Sequence, residues 1–331
     1  MKALAYNKAH DVADFQIEEI DLPQPELRPF DVLVEVKAFS VNPVDYKIRS
    51  SRSAKDGQPV VLGWDVAGVI SAVGSGVVKF KVGDEVYGAG DLTRSGSYAE
   101  QVAIDSRIIA LKPKTIDFAE SAALPLTSLT AWEAMIARSE MNLNESSHVL
   151  IIGGAGGVGS IAIQLLKSLT KAKVIATASR EDSIKWVKAM GADYVVDYHN
   201  DLTKELSQVG VTGVDAVFGT NHTERYLSQL SKIIRPFGHL ALIDDPAAFD
   251  IVAFKAKSIS IHWELMFTKT LFDYKLESQG EILSEVARLI DQGKVKTTMT
   301  SKVKGANVAN LKKAHEILES GASIGKIVIE R

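Results

Sequence analysis

The sequence contains no cysteine. That excludes disulfides, a thiolate nucleophile and any metal site built on cysteine ligands. It also has no long apolar run. The strongest, 149–152 and 174–178, are strand-length and far short of the ~20 residues a membrane span needs. Charge of one sign is not in excess: 38 Lys+Arg stand against 41 Asp+Glu, for a net charge of −3, and they are mixed along the chain. With no basic stripe or polybasic run, neither nucleic acid nor an anionic membrane is expected as a partner. The start, Met1-Lys2-Ala3-Leu4-Ala5-Tyr6, runs into Asn7, Lys8, His10 and Asp11 without a signal-type apolar segment, so the expected location is the cytoplasm. Internal repeats and low-complexity segments are missing as well.

What is present fits two domains: 331 residues, 46% of them hydrophobic, exceed one ordinary core. The first part reads as mostly β. Residues 31–38 alternate as a half-buried strand does, and 63–73, 81–88 and 100–104 are further β runs punctuated by glycine. The polar, serine-rich stretch 49–58 reads as a loop. Near Leu124 the rhythm changes. Helix is expected over 128–138, then strands at 149–152, 173–178, 194–196, 214–218, 239–243 and 258–262, alternating with helices at 157–168, 181–190, 201–208 and 223–234. Strand–helix alternation with continuous apolar strands predicts an α/β doubly wound parallel sheet. The tail returns to helix (281–292, 308–319) and a last strand (326–329). The expected division is a β-rich domain of 1–124 with 268–331 and a Rossmann domain of 125–267.

Between the strand at 149–152 and the next helix lies Gly154-Ala155-Gly156-Gly157-Val158-Gly159, a G-x-G-x-x-G pattern. Alone the pattern is weak, but strand before and helix after make it specific for a dinucleotide. Gly154 is expected to make the tight turn, Gly156 to leave room for the pyrophosphate, and Gly159 to let the helix approach the strand. The helix start then offers N–H groups and its positive dipole end to phosphate. An acidic residue that would hold the ribose hydroxyls of NAD is missing where the second strand ends. Ser179 and Arg180 stand there instead, a hydroxyl and a guanidinium suited to a 2′-phosphate. This favours NADPH. The alternative is a solvated Arg180, with Glu181 or Asp182 serving the ribose.

Several co-linear blocks carry a family resemblance: Ser40-Val41-Asn42-Pro43-Val44-Asp45, Leu62-Gly63-Trp64-Asp65-Val66-Ala67-Gly68, Val82-Gly83-Asp84-Glu85-Val86-Tyr87-Gly88, Ala122-Ala123-Leu124-Pro125-Leu126-Thr127 and Ile324-Gly325-Lys326-Ile327-Val328. Over essentially the whole chain these resemble the quinone oxidoreductase branch of the medium-chain dehydrogenase/reductase superfamily. Within that branch the chain is most similar to bacterial zinc-type alcohol dehydrogenase-like proteins. The resemblance implies a GroES-like domain beside the Rossmann domain, hydride transfer between nicotinamide and a carbonyl-type substrate in a cleft, and a homodimer joined through a sheet edge. It also implies that Thr127 sits by the nicotinamide, Tyr198 near the 2′-phosphate, and Asn221, Ile243 and the segment around His262 along the cofactor groove. Tyr198 reads equally well as a surface aromatic at a strand end.

Zinc-dependent relatives place Cys, a His-Glu pair and a further Cys or Asp around the metal. The matching positions hold Asn42, Trp64 and Asp65, which do not make a tetrahedral zinc site. No metal is therefore expected. A conjugated acceptor, an enone or a quinone, suits such a site, because hydrogen-bond donors alone can hold the charge that develops on its oxygen. By the resemblance the candidate donors are Asn42 and Tyr46. Asn42 before Pro43 also reads as a turn residue, and Tyr46 as packing. The leading function is NADPH-dependent quinone or enone reduction. The alternatives are an NADPH-binding protein without turnover, or an alcohol dehydrogenase.

Overall fold

Val149-Leu150-Ile151-Ile152 form an interior strand because no face of them needs water: His148–Ile152 pairs in parallel with Lys173–Thr177 on one side and Val214–Gly219 on the other. In the computed structural model, which describes residues 1–331 apart from the side chain of Ser139, this strand belongs to a six-stranded sheet. The order is Tyr194–Val196, Lys173–Thr177, His148–Ile152, Val214–Gly219, Ile234–Leu242, Ser260–Trp263, and every neighbouring pair is parallel. Strand order reverses on either side of His148–Ile152, so the sheet is doubly wound, with its switch point at the carboxyl ends of His148–Ile152 and Val214–Gly219. Leu150, Ile175, Val217, Leu240 and Leu242 fill one core with Leu206, Leu230 and Phe254. Each such buried aliphatic side chain contributes roughly 1.5–3 kcal/mol. The helix Gly157–Leu169 buries Ile161, Ile163, Leu165 and Leu166 and ends at Thr170, whose hydroxyl and N–H both return to the Leu166 carbonyl.

This sheet and its helices make up one of two units, Thr130–Met266 with Lys294–Lys296. The other comprises Met1–Leu129, Phe267–Gly293 and Thr297–Arg331, and is β-rich. Its main sheet runs Met299–Lys304, Lys326–Glu330, Asp31–Ser40, Val66–Val73, Glu85–Gly88, Ile109–Leu111, with Gln101–Asp105 also paired to Asp31–Ser40. The chain is thus an α/β protein with a parallel nucleotide-type sheet and a separate β-rich unit. Among the described residues no helix is long and apolar enough to cross a membrane.

Four local expectations change. Asp31–Ser40 is mostly buried rather than alternating, because three strands pair with it. The run at 81–88 is strand only over Glu85–Gly88, since Gly83, at φ +92°, turns the chain before it. The segment at 223–234 begins as a 3₁₀ turn, Thr223–Tyr226, before the helix Leu227–Ile233. The serine-rich stretch is not all loop: Pro43–Ser51 is a helix. Pro43 stands where a missing N–H costs nothing, the Asp45 carboxylate accepts the Asn42 N–H at 2.6 Å, and Arg49, 1% exposed, holds the far end in the interior.

Candidate active site

The nucleotide turn starts one residue before the sequence pattern. Gly153, at φ +78°, is the residue in the left-handed region, and a Cβ on it would meet Thr220 Oγ1 at 2.3 Å and Asn221 Oδ1 at 2.6 Å. The tight turn therefore falls to Gly153 and not to Gly154, whose own need is packing: its Cβ would lie 2.7 Å from that of Ala176. Gly159 fills its expected role, since a Cβ there would strike the Gly153 carbonyl at 2.4 Å. Gly156 is different. A Cβ on it would meet a single atom, at 3.5 Å, so protein packing does not require glycine at that position. Two threonines pin the turn to neighbouring strand ends. Gly153 N–H donates to Thr177 Oγ1 at 2.9 Å, and Thr220 Oγ1 donates to the Ile152 carbonyl at 2.7 Å. Sequence reasoning missed both; a threonine closing each neighbouring strand was the available signal.

Ala155 and Gly156 lead into the helix at Gly157-Val158-Gly159. The first N–H groups of a helix have no partner within it. This cradle fits the pyrophosphate of a dinucleotide: a glycine with open space, a helix start and a sharp turn, all at the carboxyl edge of a parallel sheet. The other candidate cofactor residues of this unit lie at or after the carboxyl ends of strands of the same sheet. Ser179 is half-buried and Arg180 exposed after Lys173–Thr177, where Arg180 starts the helix Glu181–Ala189 and its backbone is held by Ser183. Half-buried Tyr198 follows Tyr194–Val196 and packs on His199 at 4.3 Å. Asn221 follows Val214–Gly219, Ile243 follows Ile234–Leu242, and His262 lies in Ser260–Trp263. The His262 ring turns onto the Ala134 carbonyl at 3.2 Å, and burial lowers its pKa.

Asn42, Tyr46 and Thr127 belong to the β-rich unit. Thr127 is buried, and its hydroxyl donates to the Leu124 carbonyl at 3.1 Å. Asn42 is 1% exposed, and both ends of its amide are engaged. Nδ2 donates to Asp65 Oδ2 at 2.7 Å, and Oδ1 accepts from the Lys326 ammonium. The amide is thus held inside the β-rich unit by Asp65 and Lys326, beside the start of the helix Pro43–Ser51. Tyr46, half-buried, lies in the first turns of that helix.

Around Asn42 lies a buried polar network that the sequence did not reveal. Asp65 Oδ2 also accepts from Ser40 at 2.6 Å and faces Lys326 Nζ at 3.4 Å. Asp65 Oδ1 accepts the Leu126 N–H at 2.7 Å, capping the helix that carries Thr127. Asp45 takes the Tyr98 hydroxyl at 2.8 Å, and Arg49 reaches the His10 carbonyl, His315 Nδ1 at 2.8 Å and Glu319 at 2.8 Å. Burial pushes the Asp45 carboxyl up to about 7 and the His315 imidazole down to about 3, and also pulls the Lys326 ammonium below its ordinary value. The cues were a lone lysine entering the apolar run Ile327-Val328-Ile329, and Asn-Pro-x-Asp at a helix start.

These residues do not fit zinc. The Asp65 oxygens are taken by Ser40, Asn42 and Leu126, with Lys326 close by. Trp64 Nε1 donates to the Asp91 carbonyl at 3.0 Å and offers no lone pair, and an ammonium already stands among the oxygens. Among the described residues no three His, Cys, Asp or Glu side chains are grouped as metal ligands.

Residues 28–114 match the alcohol dehydrogenase GroES-like domain, and residues 190–329 match a zinc-binding dehydrogenase domain. A zinc-type alcohol dehydrogenase-like protein of Staphylococcus epidermidis is 37% identical over 99% of both chains. The NADPH-dependent alkenal/one oxidoreductase of Arabidopsis thaliana chloroplasts is 31% identical over 99% of this chain and 79% of its own. Among solved structures, a candidate zinc-dependent alcohol dehydrogenase of Rhizobium etli is 48% identical, with a TM-score of 0.97 over 100% of this chain and 98% of its own. The Escherichia coli quinone oxidoreductase complexed with NADPH is 25% identical, with a TM-score of 0.84 over 100% of both. The chain belongs to the medium-chain dehydrogenase/reductase superfamily.

Proposed function

We propose that this chain, an oxidoreductase of the medium-chain dehydrogenase/reductase superfamily, uses NADPH to reduce quinones or α,β-unsaturated carbonyl compounds without a metal. The observation that carries the reading is the edge beside the glycine turn. Where Lys173–Thr177 ends, a hydroxyl (Ser179) and an exposed guanidinium (Arg180) stand in place of a carboxylate. A 2′-phosphate gains a hydrogen bond and a charge-assisted fork there, whereas a carboxylate would repel it. The relatives named for alkenal/one and quinone reduction support the acceptor class.

When bound, the nicotinamide supplies a hydride. In this reading the chain's own residues do the rest. Gly153–Gly159 and the helix start hold the pyrophosphate, with Ser179, Arg180 and Tyr198 at the adenosine end. Asn221, Ile243 and the His262 segment line the groove, and Thr127 borders the nicotinamide. The Tyr46 hydroxyl donates to the acceptor oxygen as charge develops on it. A proton from solvent completes the reduction, giving a saturated carbonyl compound or a hydroquinone.

The test follows NADPH absorbance with 1,4-benzoquinone and with a short enone. Turnover of either is expected, with NADPH preferred to NADH. NADPH binding with neither acceptor reduced would leave a binding protein and overturn the reading. Chelator-sensitive alcohol oxidation with one zinc per chain would make it an alcohol dehydrogenase. The reading includes a homodimer formed through the sheet edge Ser260–Trp263, whose Trp263 is 52% exposed. Sedimentation should give twice the chain mass, and Trp263→Glu should give the monomer; a monomeric wild type removes this part.

A further inference from the structure

We propose that Lys326 is a positioning residue of this site: its ammonium locks Val41 and Asn42 and thereby sets the helix that carries Tyr46. The inference rests on the reading just given, in which Tyr46 faces the acceptor.

Strand register brings the two segments together. Val328 pairs with Ser40 in antiparallel fashion, and Val41 N–H donates to the Ile327 carbonyl at 3.2 Å. Two residues further along each strand, Lys326 therefore stands opposite Asn42, 284 positions away in sequence. A lysine ammonium has three hydrogens and no lone pair. Around Lys326 Nζ the structure supplies three acceptors: the Val41 carbonyl at 2.8 Å, Asn42 Oδ1, and Asp65 Oδ2 at 3.4 Å. Two hydrogens donate to Val41 and Asn42, the Asp65 carboxylate closes the remaining side as an ion pair, and the side chain is 4% exposed. Lys326 thus has nothing left to offer a substrate, and what it does it does through its neighbours.

Those neighbours define one geometry. The ammonium selects the oxygen end of the Asn42 amide and the Asp65 carboxylate selects the nitrogen end, at 2.7 Å. Flipping the amide would set NH₂ against ammonium and oxygen against carboxylate. Asn42 N–H in turn donates to Asp45 at 2.6 Å across the first turn of Pro43–Ser51. The cation therefore fixes the two residues before Pro43, Val41 by its carbonyl and Asn42 by its amide, and Asn42 N–H links them to the first helical turn through Asp45. A buried charged pair is an expensive way to fill space, and apolar residues of similar volume often replace one without loss. What an apolar residue cannot reproduce is the choice of amide orientation.

The experiment measures kcat with 1,4-benzoquinone and NADPH affinity for the wild type, Lys326→Met, Tyr46→Phe and the double variant. Tyr46→Phe is expected to lower kcat by the roughly 10²–10³-fold that loss of an oxyanion donor produces. Lys326→Met, which displaces that donor without deleting it, should lower kcat by about 10- to 100-fold, with the NADPH dissociation constant within about twofold of wild type. The double variant should match Tyr46→Phe alone, because a displaced hydroxyl that is already absent cannot be lost again. If Lys326→Met alone does not fold, Lys326→Met with Asp65→Asn, which leaves no uncompensated carboxylate, takes its place, and the same match to Tyr46→Phe is expected. Unchanged kcat in Lys326→Met, or losses that multiply in the double variant, would overturn the role of Lys326 while leaving the activity standing. A wild type that binds NADPH and reduces neither quinone nor enone overturns the underlying reading instead.

Discussion

Replacing Asp45 by asparagine should make the protein progressively more stable, relative to wild type, as pH rises from 4 to 7. Asp45 is wholly buried. Its Oδ2 accepts from Asn42 N–H and the Tyr98 hydroxyl, and its Oδ1 has no partner. Two cations face this network, and each already has a carboxylate: Lys326 has Asp65, and Arg49 has Glu319. Asp45 is the third acid, and the network is neutral only when Asp45 keeps its proton. Burial raises its pKa from 3.8 to about 7, against the bonds from Asn42 and Tyr98 and the field of Lys326, with Asp65 adding to the rise. The native state thus holds this proton more tightly than the unfolded chain does. The stability it contributes is complete below pH 3.8 and is lost as pH rises through 7. At about 1.4 kcal/mol per pH unit, the loss across that window is about 4 kcal/mol. Asparagine accepts the same two hydrogen bonds and never ionises. Urea unfolding of both proteins at each pH from 4 to 8 gives the difference in stability, and taking the difference matters. His315, lowered from 6.5 to about 3 by burial, then by Arg49 and His10, contributes stability that is present above 6.5 and lost as pH falls toward 3, the opposite slope. That slope is common to both proteins and cancels. A difference that stays within about 1 kcal/mol from pH 4 to 8, or that falls as pH rises, would refute the placement of a neutral carboxyl in this network.

Three further outcomes are expected. Gly156→Ala should leave thermal stability unchanged, since the new methyl enters open space, yet weaken NADPH binding at least about tenfold, because the pyrophosphate needs that space; equal binding by titration would show that the nucleotide lies elsewhere. Arg180→Glu should weaken NADPH about 10- to 100-fold, the ~1.5–3 kcal/mol of a charged hydrogen bond, with little effect on NADH, and parallel losses for the two would argue against a 2′-phosphate contact. Arg49→Met should lower unfolding free energy in urea by about 3–5 kcal/mol, as breaking a buried pair does, since it strips partners from the His10 carbonyl, His315 and Glu319; a loss below about 1 kcal/mol would mean those groups are satisfied without it.

The parallel sheet was legible because its information is local. Val149-Leu150-Ile151-Ile152 is an apolar run bounded by polar residues and glycine, and the helix after it has a glycine start and an apolar face. Less local features were misread in proportion to their range. The turn was assigned to Gly154 by its place in a pattern, but backbone geometry and the two flanking threonines make Gly153 the left-handed residue. Residues 49–51 read as loop because the serines beside and after Arg49 favour turns on their own, whereas the structure closes the helix Pro43–Ser51 with them. The helix forms because Arg49 is drawn into the interior by partners at His10, His315 and Glu319.

The polar network marks where local reading ends. An asparagine before proline, with Asp45 three residues on, states a helix start and nothing about which way its amide faces. That direction is decided by Asp65, 23 positions away, and by Lys326, 284 positions away. The lysine could have been suspected from its own surroundings, because a single charge opening Lys326-Ile327-Val328-Ile329 must be buried with its strand or displace it. A buried ammonium demands acceptors, and the acceptors it finds are those through which a metal-dependent relative would have to act: the Asn42 and Asp65 positions. Under the proposed function, charge that develops on the acceptor is met by hydrogen bonds that the fold orients. On the proposed reading, the choice of a conjugated acceptor then depends on the same lysine that is proposed to fix the helix bearing Tyr46.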